Sequence, residues 1–114
     1  MEVRNISSIE AIHEHSGTVS SWIMFEEKKD NLDGGIQFVN EFEVKAGDAM
    51  EPHTHNFEEF YYVLYGRGVM DIDGEKKEVI PGDLIRIPPN LVHSINTLGK
   101  DTPIHSFCFA VSVD

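Results

Sequence analysis

Two histidines two positions apart, with a carboxylate four positions beyond the second, stand just before an apolar run. The stretch is "EPHTHNFEEFYYVLYGRG", residues 51–68. Imidazoles and carboxylates beside a buried strand are costly unless something neutralises them. A metal ion, an acid/base cluster and a polar strand end at the surface are the three answers. On an extended chain His53 and His55 share one face, and Glu59 has the same parity. The neighbouring Glu58 has the opposite parity and reads as a rim or outward residue. Pro52 favours an extended entry. Taken alone, the pair also fits a polar turn with two solvated histidines. Further along, Gly82 opens a short strand that ends at Pro88, and His93 follows within a few residues.

The elements that must position these residues are short strands. "VSSWIMFEE" (19–27) is rich in β-formers, and "KKDNLDGG" (28–35) is a polar loop. "IQFVNEFEV" (36–44) sets Ile36, Phe38, Asn40, Phe42 and Val44 on one face. "EEFYYVLY" (58–65) carries bulk on both faces, as inside a closed or two-layer β structure. "VMDIDGEKKEVI" (69–80) is a hairpin candidate turning at Asp73-Gly74, a pairing that tolerates positive φ. "LIRI" (84–87) stops at "PPN", and residues 92–98 and 104–113 supply the last strands. Regular spacing with Gly and Pro turns indicates an all-β barrel or sandwich. The one helical suggestion is a turn in residues 7–13, and the termini read as arms.

The chain of 114 residues is read as one domain, 1–114, with enough length for its own core. It is 40% hydrophobic and 25% charged, as globular proteins are. A net charge of −11 argues against nucleic acid and against an anionic membrane surface. No stretch approaches a membrane span, and the N-terminus lacks the pattern of a signal peptide. Cys108 is the single cysteine, so no internal disulfide and no thiolate zinc site is expected. It reads as a small core residue, and the chain as cytoplasmic.

The order and spacing of these residues resemble a small single-domain cupin. That family's first motif is G-x5-H-x-H-x3,4-E-x6-G, matched by Gly47, His53, His55, Glu59 and Gly66. The second is G-x5-P-x-G-x2-H-x3-N, matched by Gly82, Pro88 and His93. Asn90 stands at its second glycine and Thr97 at its final asparagine. Asn tolerates left-handed backbone better than most residues, so that departure is mild. The resemblance implies a double-stranded β-helix or jelly-roll barrel of two antiparallel sheets. It also implies that His53, His55, Glu59 and His93 bind a metal, and that two copies pair as a homodimer. Three imidazoles and a carboxylate suit iron, manganese, nickel, copper or zinc, with open positions left for a small-molecule substrate.

The remaining candidates have ordinary readings beside functional ones. Tyr61 shares the parity of Glu59 and can orient a ligand or donate a proton, or simply pack. Arg86 can clamp a substrate carboxylate, or be a solvated outward arginine. Trp22, Met24, Phe38 and Met50 are pocket wall or plain core. His13 and His15 form a second pair on a polar arm, read as surface or as a lid over the barrel mouth. His105 reads as a satisfied sheet histidine. Two functions follow. One is a metalloenzyme acting on a small polar organic molecule by dioxygenase, decarboxylase, isomerase or lyase chemistry. The other is a non-catalytic binding or sensory module with a structural metal.

Overall fold

Alternation of inward and outward side chains builds nine strands, seen in a computed structural model that describes residues 1–113. They are β1 (Ile12–Glu14), β2 (Val19–Glu26), β3 (Ile36–Val44), β4 (Glu58–Tyr65), β5 (Gly68–Ile72), β6 (Glu75–Val79), β7 (Leu84–Ile87), β8 (His93–Thr97) and β9 (Ile104–Val111). All pairings are antiparallel. A six-stranded sheet has the order β1-β2-β3-β9-β4-β7, and a three-stranded sheet the order β6-β5-β8. Val19, Phe42, Val44, Tyr61, Val63, Met70, Val79, Ile87, Ile95 and Ile104 fill the space between the sheets. This is the all-β barrel of two antiparallel sheets that the family resemblance implies, where strand spacing alone left barrel or sandwich open.

The inner face expected on residues 36–44 forms from Phe38 to Val44, with Asn40, Phe42 and Val44 buried, but a register shift between Ile36 and Phe38 sets Ile36 beside Val111, the ladder partner of outward Glu58. The Asp73-Gly74 hairpin also forms. Both residues have positive φ, 51° and 89°, the condition for a two-residue turn whose twist matches the strands. Two local readings need correction. Residues 7–13 are not one helical turn: a 3-10 turn covers Ile6–Ser8, and His13 lies on β1. The polar loop at 28–35 opens with a single α-helical turn, α1 (Glu27–Asp30). That turn is held by the N-terminal arm. Arg4 pairs with Asp30 at 2.7 Å and sits 4.1 Å above the Phe25 ring.

The bulk on both faces of β4 resolves into two environments. Glu59, Tyr61 and Val63 point into the barrel. Phe60, stacked on Phe109, and Tyr62 face out from the six-stranded sheet. A bulge between Val63 and Tyr65 reverses the parity and aligns Tyr65 with His105 on the outer face. No helix among the described residues is long and apolar enough to cross a membrane.

Candidate metal centre

Local backbone bonds bring the two histidine-bearing segments together. The amide of His53 donates to the His93 carbonyl at 3.0 Å, and that of His93 returns a bond to the His53 carbonyl at 2.9 Å. The Asn90 amide donates to the His55 carbonyl at 2.7 Å. It does so from a left-handed conformation, φ 67°, at the position where the family motif has glycine. Thr97, at the motif's final asparagine, donates from its amide and its hydroxyl to the Asp48 carbonyl, at 3.2 and 3.1 Å. Asn90 and Thr97, the two departures from the motif, thus both tie its second half to its first.

The result is one cluster. The ligand-capable atoms of His53, His55, Glu59 and His93 all lie within 4.8 Å of one another. His93 Nε2 is 3.3 Å and His55 Nε2 3.7 Å from Glu59 Oε1. His53 Nδ1 faces the Glu51 carbonyl at 2.9 Å, and His93 Nδ1 the Leu91 carbonyl at 3.0 Å. Carbonyls only accept, so in both rings Nδ1 carries the hydrogen and Nε2 keeps its lone pair. Among the described residues neither His93 Nε2 nor Glu59 Oε1, both buried, has a hydrogen-bond partner. Orphaned buried acceptors are costly. A divalent cation satisfies both at once, so the residues present fit such an ion.

The surroundings favour that protonation state. Burial pushes the His53 imidazole down to about 4, aided by His93, His55 and His15 and opposed by its bond to the Glu51 carbonyl. Burial also lowers His55, with Glu59 opposing. Between pH 6.5 and 4 the unfolded chain therefore binds protons that the folded chain refuses. Stability of the metal-free protein should be full above about pH 6.5 and fall as the pH drops toward 4. Thermal melts of chelator-treated protein across this range check it; a flat profile counts against neutral, desolvated rings. The Arg4–Asp30 pair does not confuse the window. Its hydrogen bond holds the Asp30 carboxyl at about 2, so it weakens only at lower pH.

A cavity of about 440 Å³ opens beside the cluster. His53, His55 and Glu59 line it together with Phe38, Met50, Tyr61 and the N-terminal residues Glu14 and His15. Tyr61 faces inward as its parity predicts, its hydroxyl 3.9 Å from the Met50 sulfur. Burial first, then the Glu59 charge, pushes its phenol well above the usual range, so it is a neutral donor. Phe38 and Met50 are wall, whereas Trp22 packs against His105 on the outer face. His15 lies with its ring centroid 4.6 Å from that of His53, the lid position rather than plain surface. Cys108 is core as read, but it also lines the cavity and donates to Glu59 Oε2 at 3.4 Å. Burial raises its thiol well above the usual range, which leaves it protonated and unreactive.

Other candidates lie elsewhere. Arg86 is on the outer face of β7, paired with Glu58, and does not line the cavity; its outward parity opposite Phe60 is the reason. The same ion pair confirms Glu58 as an outward residue. His105 is buried and satisfied, with Nε2 2.6 Å from Glu41 and Nδ1 3.1 Å from Glu43, and Tyr65 stacked on its ring. The reading of residue types missed Glu14, Ser21, Asn40 and Phe57 in the cavity wall. The inward parity of Asn40 among Ile36, Phe38, Phe42 and Val44 was the available signal for one of them.

The Cupin domain family matches residues 40–109, more than half of the chain. This chain belongs to that family. It is 42% identical over 80 residues to an uncharacterized protein of Methanocaldococcus jannaschii, a match covering 68% of this chain and 63% of that protein. Over 65 residues it is 37% identical to quercetin 2,3-dioxygenase of Bacillus subtilis, covering 56% of this chain and 19% of the enzyme. The chain thus spans less than two thirds of either relative. A predicted oxalate decarboxylase of Thermotoga maritima superposes with a TM-score of 0.84 at 21% identity, covering 98% of this chain and 100% of that one. At that identity the likeness shows the fold.

Proposed function

We propose that the chain is a metal-dependent enzyme acting on a small polar organic molecule, with His53, His55, Glu59 and His93 as the ligands of one divalent ion. The observation that carries this reading is the pair of orphaned acceptors, His93 Nε2 and Glu59 Oε1, in a four-residue cluster of which His53, His55 and Glu59 line a cavity large enough for a small molecule. The bound ion would supply Lewis-acid or oxygen-activating chemistry to a substrate that chelates it through paired oxygens, such as a carboxylate with a neighbouring hydroxyl or keto group. The four side chains cancel one of its two positive charges, which leaves a net attraction for an anion inside apolar walls. Tyr61, held neutral, orients the ligand by donating from its hydroxyl. Phe38, Phe42 and Phe57 exclude water from the inner wall. The relative named as a dioxygenase and the fold neighbour named as a predicted decarboxylase both fit this class.

The test is elemental analysis of the protein as purified, then anaerobic reconstitution with iron, manganese, nickel, zinc or copper and a substrate screen with and without O2. Turnover of a carboxylate or keto compound by one loaded form is expected. If no loaded form turns anything over and bound chelators leave the metal spectrum unchanged, the chain is instead a binding module with a structural metal.

The reading includes a homodimer in a reducing, cytoplasmic setting, as the lone buried Cys108 suits. Tyr62 and Leu84 pair on the outer face of the six-stranded sheet and are 44% and 60% exposed, beside Phe60, Phe107 and Phe109. Apolar faces of this kind are covered in stable assemblies. Sedimentation at micromolar concentration should give twice the mass of the chain; a monomer there counts against the pairing.

A further inference from the structure

Asn40 sits in the middle of β3 between Phe38 and Phe42, and all three line the cavity. It is 7% exposed, and its Oδ1 has no hydrogen-bond partner. Leaving such an atom unpaired in a folded interior costs free energy that a leucine in its place would avoid. Its ladder partners are Ile23 on β2 and Cys108 on β9, and Cys108 in turn pairs with Tyr61 on β4. Two strand spacings, about 10 Å, therefore separate Asn40 from Tyr61 along the inner face. Ser21, one step along β2, lines the same wall, and its hydroxyl donates to Glu14 Oε1 at the cavity mouth. Glu14 is fixed there by a turn of three successive positive-φ residues, His15, Ser16 and Gly17, and by the bond from the Ser16 hydroxyl to Glu51 at 2.9 Å. The cavity wall beside the metal cluster thus presents an unpaired amide oxygen and a carboxylate.

We infer that Asn40, with Ser21 and Glu14, forms a second subsite that selects a ligand bearing hydroxyl groups and no second carboxylate, its chelating end being held at the metal cluster. The inference rests on the metal-site reading above and names the ligand class it serves: a monocarboxylic acid that carries hydroxyls beyond its chelating end. An amide both donates and accepts, and a carboxylate only accepts, so hydroxyls satisfy both while a ligand carboxylate would face Glu14. A distal methyl chain would leave Asn40 as it is, unpaired.

The test uses the full chain loaded with cobalt(II), whose visible spectrum reports binding, and four probes. Oxalate chelates but carries no hydroxyl to offer Asn40. Gluconate carries hydroxyls, 2-hydroxyhexanoate lacks them beyond the chelating end, and glucarate replaces the terminal hydroxyl group of gluconate by a carboxylate. Gluconate should bind about 10-fold more tightly than 2-hydroxyhexanoate, the worth of one recovered buried hydrogen bond, and about 3-fold more tightly than glucarate, the smaller factor reflecting solvent at the mouth. Asn40→Leu should erase the first preference with oxalate binding unchanged and the melting temperature unchanged or raised. A lowered melting temperature would mean that Asn40 serves the fold, and would overturn the inference. Glu14→Gln, at an exposed position, should erase the second preference and gives a reading even if Asn40→Leu fails to fold. Equal binding of gluconate and 2-hydroxyhexanoate, with oxalate still shifting the spectrum, overturns the subsite and leaves the metal site standing. If oxalate also leaves the spectrum unchanged, both readings fall.

Discussion

His55→Ala and His93→Ala should each bind zinc or cobalt at least about 100-fold more weakly than the parent chain, because even residues that merely support a metal ligand are worth 10–100-fold. Calorimetric titration of chelator-stripped protein reads this directly. The fold should survive, since the core between the sheets is apolar and closed without the cluster. His55 is the cleaner site, being half-buried, and its apoprotein should melt near the parent. His93 is 2% exposed, so its replacement opens a small cavity and costs about 1–3 kcal/mol. His13→Ala, His15→Ala and His105→Ala should keep the metal. His13 bonds only to Ser20 on the β1–β2 edge, 3.1 Å away, and His105 is engaged by Glu41 and Glu43 on the outer face. His15 touches the His53 ring without joining the cluster. Equal metal loss from His105→Ala would overturn the assignment.

Gly66→Ala should be the most destabilising of the conservative changes. Gly66 ends β4 at φ +83°, where an L side chain is strained, and a Cβ built there meets the Pro103 carbonyl oxygen at 2.0 Å and Ile104 Cα at 2.8 Å. Those are backbone atoms at the entry to β9, which lies between β3 and β4, so no side chain can swing aside. Left-handed strain of about 1–2 kcal/mol and displacement of β9 together should cost about 4 kcal/mol. That is a drop of about 15 °C or more in melting temperature for a domain of this size. A calorimetric melt within a few degrees of the parent would contradict the close approach. The terminal glycine of the first motif is thus a packing requirement, separate from the chemistry of the histidines.

The parts of the molecule that could be read in the sequence are those governed by parity. His53, His55 and Glu59 converge, and Tyr61 faces in, because an uninterrupted extended chain alternates its faces. Parity fails where the chain bulges. The register shifts between Ile23 and Phe25, between Ile36 and Phe38 and between Val63 and Tyr65, and the last shift carries Tyr65 out to His105. No residue type announces any of these bulges. The convergence of His93 with the first pair was legible only through the motif, because it depends on a backbone bridge between segments forty residues apart. Glu14 was one of twenty acidic residues and nothing in its neighbourhood distinguished it. Its place at the cavity comes from the short edge strand β1 and the left-handed turn after it, which read as a polar arm. Arg86 shows the converse: a residue type suited to a carboxylate, placed by strand parity on the face where its partner is Glu58.

The central claim is that three imidazoles and one carboxylate hold a divalent ion with positions left open to the cavity. X-ray absorption of the cobalt-loaded full chain, recorded with and without oxalate, tests it most directly. Expected are one ion per chain, scattering from three imidazole rings and from oxygen, no sulfur contribution from Cys108, and a changed oxygen contribution when oxalate is added. A spectrum with fewer than three imidazoles, or with a sulfur ligand, or one that oxalate leaves untouched, would contradict it.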